Sequence, residues 1–311
     1  MSSTLRMAVL GTGHLGRHHA RNLGQMDGVQ LIAVVDPSEE RGRPAADTAK
    51  TAWVARPEDL PADLDAVSIA APTPTHFALA KHFLERGVHV LVEKPMTASL
   101  EEARALAAIA SKSKRCLQVG HIERFNPVWQ HVTNTPCSPR FIDAERFAAH
   151  TGRSLDTSVV FDLMIHDLDL VCALAGSAVV DLRASGGVVV GPFEDWAECR
   201  LTFEGGTVAE VRASRAQPAG GRRTRVFATD KTLEIDFQTR KLQIVEKGTS
   251  TPQTVRELQG GDEEPLRREL ASFVAAIRSG SRPVVSEVEG LRAVELADRV
   301  IGQIRGGQRG R

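Results

Sequence analysis

The sequence predicts an α/β protein in two parts: an N-terminal parallel sheet wound with helices over residues 1–121, and a C-terminal α+β part over 122–311. Three observations predict it. The chain opens with an apolar run, a glycine-rich turn, a helical segment and a second apolar run. Short apolar runs and helical segments then alternate as far as His121. Beyond His121 the dominant pattern switches to period two, the signature of an open, largely antiparallel sheet with one buried face.

The opening unit runs from Met7 to Asp36. Met7 to Leu10 reads as a buried strand, and Gly11, Gly13 and Gly16 follow it as G-x-G-x-x-G before a segment that propagates a helix through Leu23. Each glycine answers a separate need: Gly11 the tight turn, Gly13 the approach of backbone to a pyrophosphate, Gly16 the packing of helix on strand. The loop residues Thr12, His14 and Leu15 lie where amides face an anion at the helix N-terminus. Asp36 closes the second strand about 20 residues after Gly16, where its carboxylate can accept hydrogen bonds from an adenosine ribose and would repel a 2′-phosphate. The expected cofactor is therefore NAD.

A polar stretch with Pro37, Gly42 and Pro44 follows, then a short strand around Trp53. Ala66 to Ala70 forms the next strand and ends at Ala71-Pro72-Thr73-Pro74-Thr75-His76, from which Pro74 can start a helix reaching Glu85, closed by Gly87. Val88 to Val92 leads into Glu93-Lys94-Pro95. Ser99 and Glu102 form a capping box for a helix through Ala110. Cys116 to Val119 then ends at Gly120-His121. In an open parallel sheet the carboxyl ends of the strands share one edge and ligands bind there. Gly11, Asp36, Pro72, Lys94 and His121 are thus expected along one cleft, with Thr73, His76 and Glu93 beside the cofactor.

In the second part, residues 140 to 149 and most of 179 to 246 read as strands. Ala197, Cys199, Leu201 and Phe203 alternate with polar residues before a Gly205-Gly206 hairpin turn. Helices are expected from Asp162 to Ala175, closed by Gly176, and over Glu264 to Arg278 and Glu287 to Ile304. The closing GGQRGR reads as a solvated tail.

Two groups of residues suit chemistry. Lys94, at a strand end, can exchange a proton with a substrate hydroxyl. Asp162, His166 and Asp169 fall at i, i+4 and i+7, one helical face, with Asp167 turned elsewhere; a carboxylate one turn from an imidazole orients it as a base. The competing readings are a helix N-terminal acid and a packed histidine, or a metal site that lacks outside ligands. No metal is expected. Arg124 and Asn126 are candidates for a substrate diphosphate. The Arg222, Arg223 and Arg225 cluster is a second candidate, with a charged, aggregation-resistant strand edge as the alternative.

Composition narrows the class. The 39 basic and 39 acidic residues give a formal net charge of zero, so no global field draws the chain to nucleic acid or to an anionic membrane. The start MSSTLRMAVLG has no apolar segment of signal length, and a cytoplasmic location is expected. The four cysteines, Cys116, Cys137, Cys172 and Cys199, show no C-x-x-C spacing and are expected as reduced thiols.

Taken in order, G-x-G-x-x-G, the strand-end aspartate, T-P-x-x-H, E-K-P and D-x-x-x-H resemble the glucose-fructose oxidoreductase, inositol dehydrogenase and rhizopine-catabolism (Gfo/Idh/MocA) family, as does Arg282-Pro283-Val284-Val285-Ser286 before the last helix. The resemblance covers nearly the whole chain. It implies an N-terminal Rossmann domain, a C-terminal domain with an open mixed sheet, homodimers or homotetramers joined through that sheet, and Lys94, Asp162 and His166 as catalytic lysine, aspartate and histidine, with His166 also on the substrate. Thr157-Ser158-Val159-Val160 departs from the paired glycines that many members carry before the aspartate. The strings Val119 to Pro127 and Asp162 to Asp167 resemble the branch that oxidises the C3 hydroxyl of UDP-N-acetylglucosamine, which implies a 3-keto sugar nucleotide for lipid A assembly. A free cyclitol or monosaccharide dehydrogenase and a non-catalytic NAD-binding sensor remain as alternatives.

Overall fold

A computed structural model describes residues 4–149, 157–246 and 254–308, in two compact units: Met1–Ile122 with Glu264–Leu291, and Glu123–Glu263 with Arg292–Arg311. The sequence reading has one boundary, at 121/122. The chain instead returns to its first unit at Glu264.

The first unit is a wound parallel sheet. Its elements are β1 (Leu5–Leu10), α1 (Gly16–Gly24), β2 (Val29–Val35), α2 (Glu39–Ala49), β3 (Ala52–Val54), β4 (Ala66–Ile69), α3 (His76–Glu85), β5 (His89–Glu93), α4 (Leu100–Ser113) and β6 (Leu117–Gly120), with the strands in the order β3-β2-β1-β4-β5-β6 and every pair parallel. The order reverses at β1, so the turn after it faces the crevice beside β4. Met7, Val9, Leu91, Leu23 and Ala20 are buried in a core that Leu266, Leu270 and Phe273 complete from the C-terminal part of the chain.

Helix α2 falls where the sequence reads as a polar stretch. Glu39 and Glu40 in its first turn suit the helix dipole, and the helix accommodates Pro44. Gly42 is required by packing: a Cβ there would overlap the Trp53 indole. Pro74 initiates one turn of 3₁₀ helix, Thr73–Thr75, ahead of α3. The Ser99 hydroxyl accepts the Glu102 amide at 3.2 Å, and Glu102 Oε2 accepts the Ala98 amide, a reciprocal cap of the expected kind displaced by one residue.

In the second unit, a 3₁₀ turn (Ile122–Phe125) leads into α5 (Pro127–Thr133), which the sequence reading lacks; Asn126 caps it by accepting the Val128 amide. There follow β7 (Pro139–Ala149), a π-helical turn (Val160–Met164), α6 (Ile165–Ala175), β8 (Val179–Gly187), β9 (Trp196–Phe203), β10 (Val208–Gln217), β11 (Gly221–Ala228), β12 (Lys231–Asp236), β13 (Lys241–Glu246) and β14 (Thr254–Gln259). The sheet order is β14-β13-β12-β11-β7-β10-β9-β8, antiparallel throughout except for β7 with β10, so the sheet is mixed.

Ala197, Cys199, Leu201 and Phe203 point into the core, and Gly206, at φ +82°, makes the hairpin turn that follows them. Gly176, at φ +64°, ends α6 as the sequence suggests. Helix α7 (Pro265–Ser279) packs with the first unit, and α8 runs from Glu287 to Gln308, so Gly306 and Gly307 are helical rather than part of a tail; residues 309–311 lie outside the described set.

Candidate active site

The glycine turn is shaped for close backbone approach. Gly11 has φ +87°, and a Cβ on it would stand 2.6 Å from the Ala70 carbonyl oxygen; a Cβ on Gly16 would overlap the Gly11 carbonyl. Nothing lies within 4 Å of the position a Cβ would take on Gly13. No side chain caps α1; its Arg17 and His18 amides donate to the Gly13 and Leu15 carbonyls at 3.3 and 2.8 Å, so the turn ahead of them is the part suited to an anion. A cleft of about 600 Å³ adjoins the turn, lined among others by Thr12, Gly13, His14, Arg17, His18 and Arg41. Burial, and after it the charges of Arg21, Arg17 and His14, hold the His18 imidazole below its usual pKa. These residues fit a pyrophosphate-containing cofactor.

Asp36 sits at the end of β2 as expected, but already has partners. Its Oδ2 accepts from the Thr12 amide (2.9 Å) and hydroxyl (2.8 Å), and its Oδ1 from the Ser38 amide and the Arg41 guanidinium (2.9 Å each). Burial works against the ionised carboxyl. The Arg41 bond, with the Ser38 and Thr12 amides, outweighs it and holds the pKa below the usual carboxylate range. Arg41 has 57% of its side chain exposed, so it is the donor that can yield to a ribose hydroxyl.

At the other strand ends, Lys94 is half-buried after β5, and His121 is buried after β6. His76 lies below the surface with Nδ1 2.9 Å from the Pro95 carbonyl and Nε2 2.9 Å from the Ala71 carbonyl. The histidine of T-P-x-x-H therefore lies between its own loop and the E-K-P loop, with a protein carbonyl beside each ring nitrogen. Pro72 and Thr73 form the turn that it braces. The Glu93 side chain, placed beside the cofactor by the sequence reading, is instead buried against His19.

In the second unit, Asp162 lies in the π-helical turn and His166 in the first turn of α6. The π-turn interrupts the regular 3.6-residue repeat on which the i, i+4, i+7 reading rests. Asp169, three residues after His166 in α6, is 2% exposed and holds Arg124 through both oxygens, at 2.6 and 3.1 Å. Asp167 is equally buried and takes two bonds from Arg146, at 2.8 and 3.0 Å, while Arg146 also binds Glu123 at 2.8 Å. The residues that flank His166 thus pin α6 at two points.

This assigns new work to the substrate candidates. Arg124 is paired with Asp169 and stacks its guanidinium over Trp129. Asn126 spends Nδ2 on Glu123 and the Phe237 carbonyl and Oδ1 on the α5 cap, so its amide is consumed by the fold. Arg222, Arg223 and Arg225 pair with Glu123, Asp236 and Asp143, as a charged sheet face does. The Arg146 cluster escaped the sequence reading because its members are separated by at least 21 residues and share no motif.

Among the described residues there is no group of three or more histidine, cysteine, aspartate or glutamate side chains arranged to hold a metal ion, and no helix is long and apolar enough to cross a membrane. The four cysteines are free thiols, and burial pushes Cys172 up to about 11 and Cys199 up to about 12.

Residues 5–121 match the oxidoreductase family with an NAD-binding Rossmann fold, and residues 129–234 match the GFO/IDH/MocA C-terminal domain. The chain belongs to the Gfo/Idh/MocA oxidoreductase family. Within that family it is 38% identical over 303 residues to a UDP-N-acetylglucosamine 3-dehydrogenase of Acidithiobacillus ferrooxidans, covering 95% of this chain and 96% of that protein. It is 28% identical over 339 residues to the scyllo-inositol 2-dehydrogenase (NAD(+)) of Bacillus subtilis, covering 99% and 96%. The solved structure of the A. ferrooxidans enzyme superposes with a TM-score of 0.92 at 36% identity, over 97% of this chain and 98% of that one. A levoglucosan dehydrogenase in complex with NADH and levoglucosan shares the fold, with a TM-score of 0.88 at 16% identity and 97% of each chain covered.

Proposed function

We propose that this Gfo/Idh/MocA oxidoreductase oxidises the C3 hydroxyl of UDP-N-acetylglucosamine with NAD, giving the 3-keto sugar nucleotide. The observation that carries the reading is the near-full-length likeness to the A. ferrooxidans UDP-N-acetylglucosamine 3-dehydrogenase, ten percentage points of identity above the B. subtilis inositol dehydrogenase. The glycine turn, Asp36 and the uncapped α1 would hold the cofactor, which supplies the acceptor for the hydride leaving C3. Lys94, Asp162 and His166 are the proposed catalytic set. Lys94 and His166 are the two groups suited to take the hydroxyl proton, and Asp162 orients His166. A cation near the oxygen stabilises the alkoxide character that builds as the hydride departs.

The same reading places the enzyme in the cytoplasm, as a homodimer or homotetramer that feeds lipid A assembly. The second reading, favoured by the inositol dehydrogenase likeness, is oxidation of a free cyclitol.

The test is NADH production with UDP-N-acetylglucosamine, myo-inositol and glucose in parallel. Turnover of the sugar nucleotide alone supports the proposal. Turnover of inositol in preference selects the second reading, and NAD binding with no turnover of any of them selects a sensor. Lys94→Ala should abolish turnover and leave NAD affinity intact; full activity in that variant removes the mechanism.

A further inference from the structure

Beneath the strand end that carries Lys94 lies a buried polar chain that the proposed chemistry does not use. His19, on the inner face of α1, has no solvent exposure. Its Nδ1 is 2.7 Å from the Ser68 hydroxyl on β4, and its Nε2 is 3.0 Å from Glu93 Oε1 at the end of β5. A carboxylate only accepts, so Nε2 carries a hydrogen. Glu93 Oε2 accepts the Lys94 amide at 3.2 Å. On the neighbouring strand a Cβ at Gly120 would come 2.9 Å from that same oxygen, so the glycine keeps room for the carboxylate. Burying an ion costs several kcal/mol unless its partners are well placed. The chain buries one at the residue immediately before its candidate base.

We propose that His19 and Glu93 are positioning residues for Lys94: the imidazole fixes one carboxylate oxygen, and the other holds the Lys94 amide and sets the charge beside its ammonium. This rests on the reading of Lys94 as a proton acceptor. The charged and titratable groups that face Glu93 are His19 from α1, Lys94 from its own strand end and Glu269 from α7. Burial pushes the Glu93 carboxyl up; the His19 bond and charge, and the Lys94 charge, outweigh it and hold the carboxyl below the usual range. By reciprocity an ionised Glu93 favours the protonated form of Lys94. A contact that merely glued α1 to the sheet would move stability and leave the ionisation of Lys94 alone.

The experiment is the pH profile of kcat/KM, with NAD affinity and melting temperature, for Glu93→Gln, Ser68→Ala and Lys94→Ala in the full-length protein. With the negative charge removed, the limb governed by Lys94 moves to lower pH in Glu93→Gln and plateau kcat falls about tenfold, as misplacement of a reacting group does, while the dissociation constant for NAD stays near wild type. Ser68→Ala loosens His19 and leaves both charges; it lowers kcat without moving KM for NAD, and serves as the decisive variant if Glu93→Gln does not fold. A wild-type limb and plateau in Glu93→Gln, or a wild-type kcat in Ser68→Ala, overturns the inference when Lys94→Ala is inactive. An active Lys94→Ala overturns the reading of Lys94 itself.

Discussion

Glu269 should cost the fold stability, and replacing it should return that stability in a pH-dependent way. The residue lies on α7 with no solvent exposure, and neither carboxylate oxygen has a hydrogen-bond partner among the described residues. Its neighbour Gln118 donates to the Glu269 backbone carbonyl at 3.1 Å and so does not satisfy the side chain. Burial, with the negative charge of Glu93 added, holds the carboxyl well above its ordinary value of 4.5, and the acid stays protonated where the unfolded chain has ionised. In that window the folded state binds more protons than the unfolded state, and stability falls as pH rises. The loss is up to about 1.4 kcal/mol for each pH unit over which the folded acid keeps its proton.

An unsatisfied buried polar group adds a further ~1–3 kcal/mol. Glu269→Leu, of similar size and apolar, should therefore stabilise the protein by at least about 1–3 kcal/mol at pH 7, a rise of roughly 2–4 °C in melting temperature per kcal/mol. Urea unfolding of wild type, Glu269→Gln and Glu269→Leu at pH 5, 6, 7 and 8 measures it. Both variants should gain on wild type as pH rises. Differences that stay constant across the four pH values, or a Leu variant that is less stable throughout, would refute the assignment of a neutral buried acid.

Other outcomes follow from the ion pairs and the glycine turn. Arg146→Ala strands Glu123 and Asp167 beneath the surface and should cost about 3–5 kcal/mol in urea unfolding, much of it recovered when both acids are replaced by their amides. Arg124→Ala should lower stability through Asp169 with KM for the sugar nucleotide unchanged; a raised KM with wild-type stability would restore Arg124 as a substrate group. Gly16→Ala drives a methyl into the Gly11 carbonyl and should weaken NAD binding at least tenfold by calorimetry. Arg41→Ala removes a half-exposed pair worth about 0.2–1 kcal/mol, so NAD should bind up to about fivefold tighter.

The first unit is legible from sequence because its demands fall on single residues in a short window. Gly11, Gly13 and Gly16 answer backbone geometry, Ser99 answers an open helix end, and Asp36 ends a strand. What escapes the reading depends on partners remote in the chain. Gly42 and Pro44 look like a breaker until Trp53 explains the glycine and α2 absorbs the proline. Asp167 looks like a bystander and Asp169 like a companion of His166 on one helical face until Arg146 and Arg124 claim them. Arg124 and Asn126 resemble anion ligands because spacing displays charge and amide but not what they already touch. The return of residues 264–291 to the first unit is invisible locally, since an amphipathic helix does not state which sheet it covers.

The arrangement around Asp36 makes nucleotide capture an exchange. Under the proposed role of Asp36 at the adenosine ribose, a cofactor would meet a carboxylate whose acceptor positions are taken and would have to displace the Arg41 guanidinium to gain that contact. The chain thereby carries a tethered rival for its own ligand, one that returns the moment the ligand leaves. Added salt, which weakens the rival, should tighten nucleotide binding at that end even as it weakens the grip on the pyrophosphate.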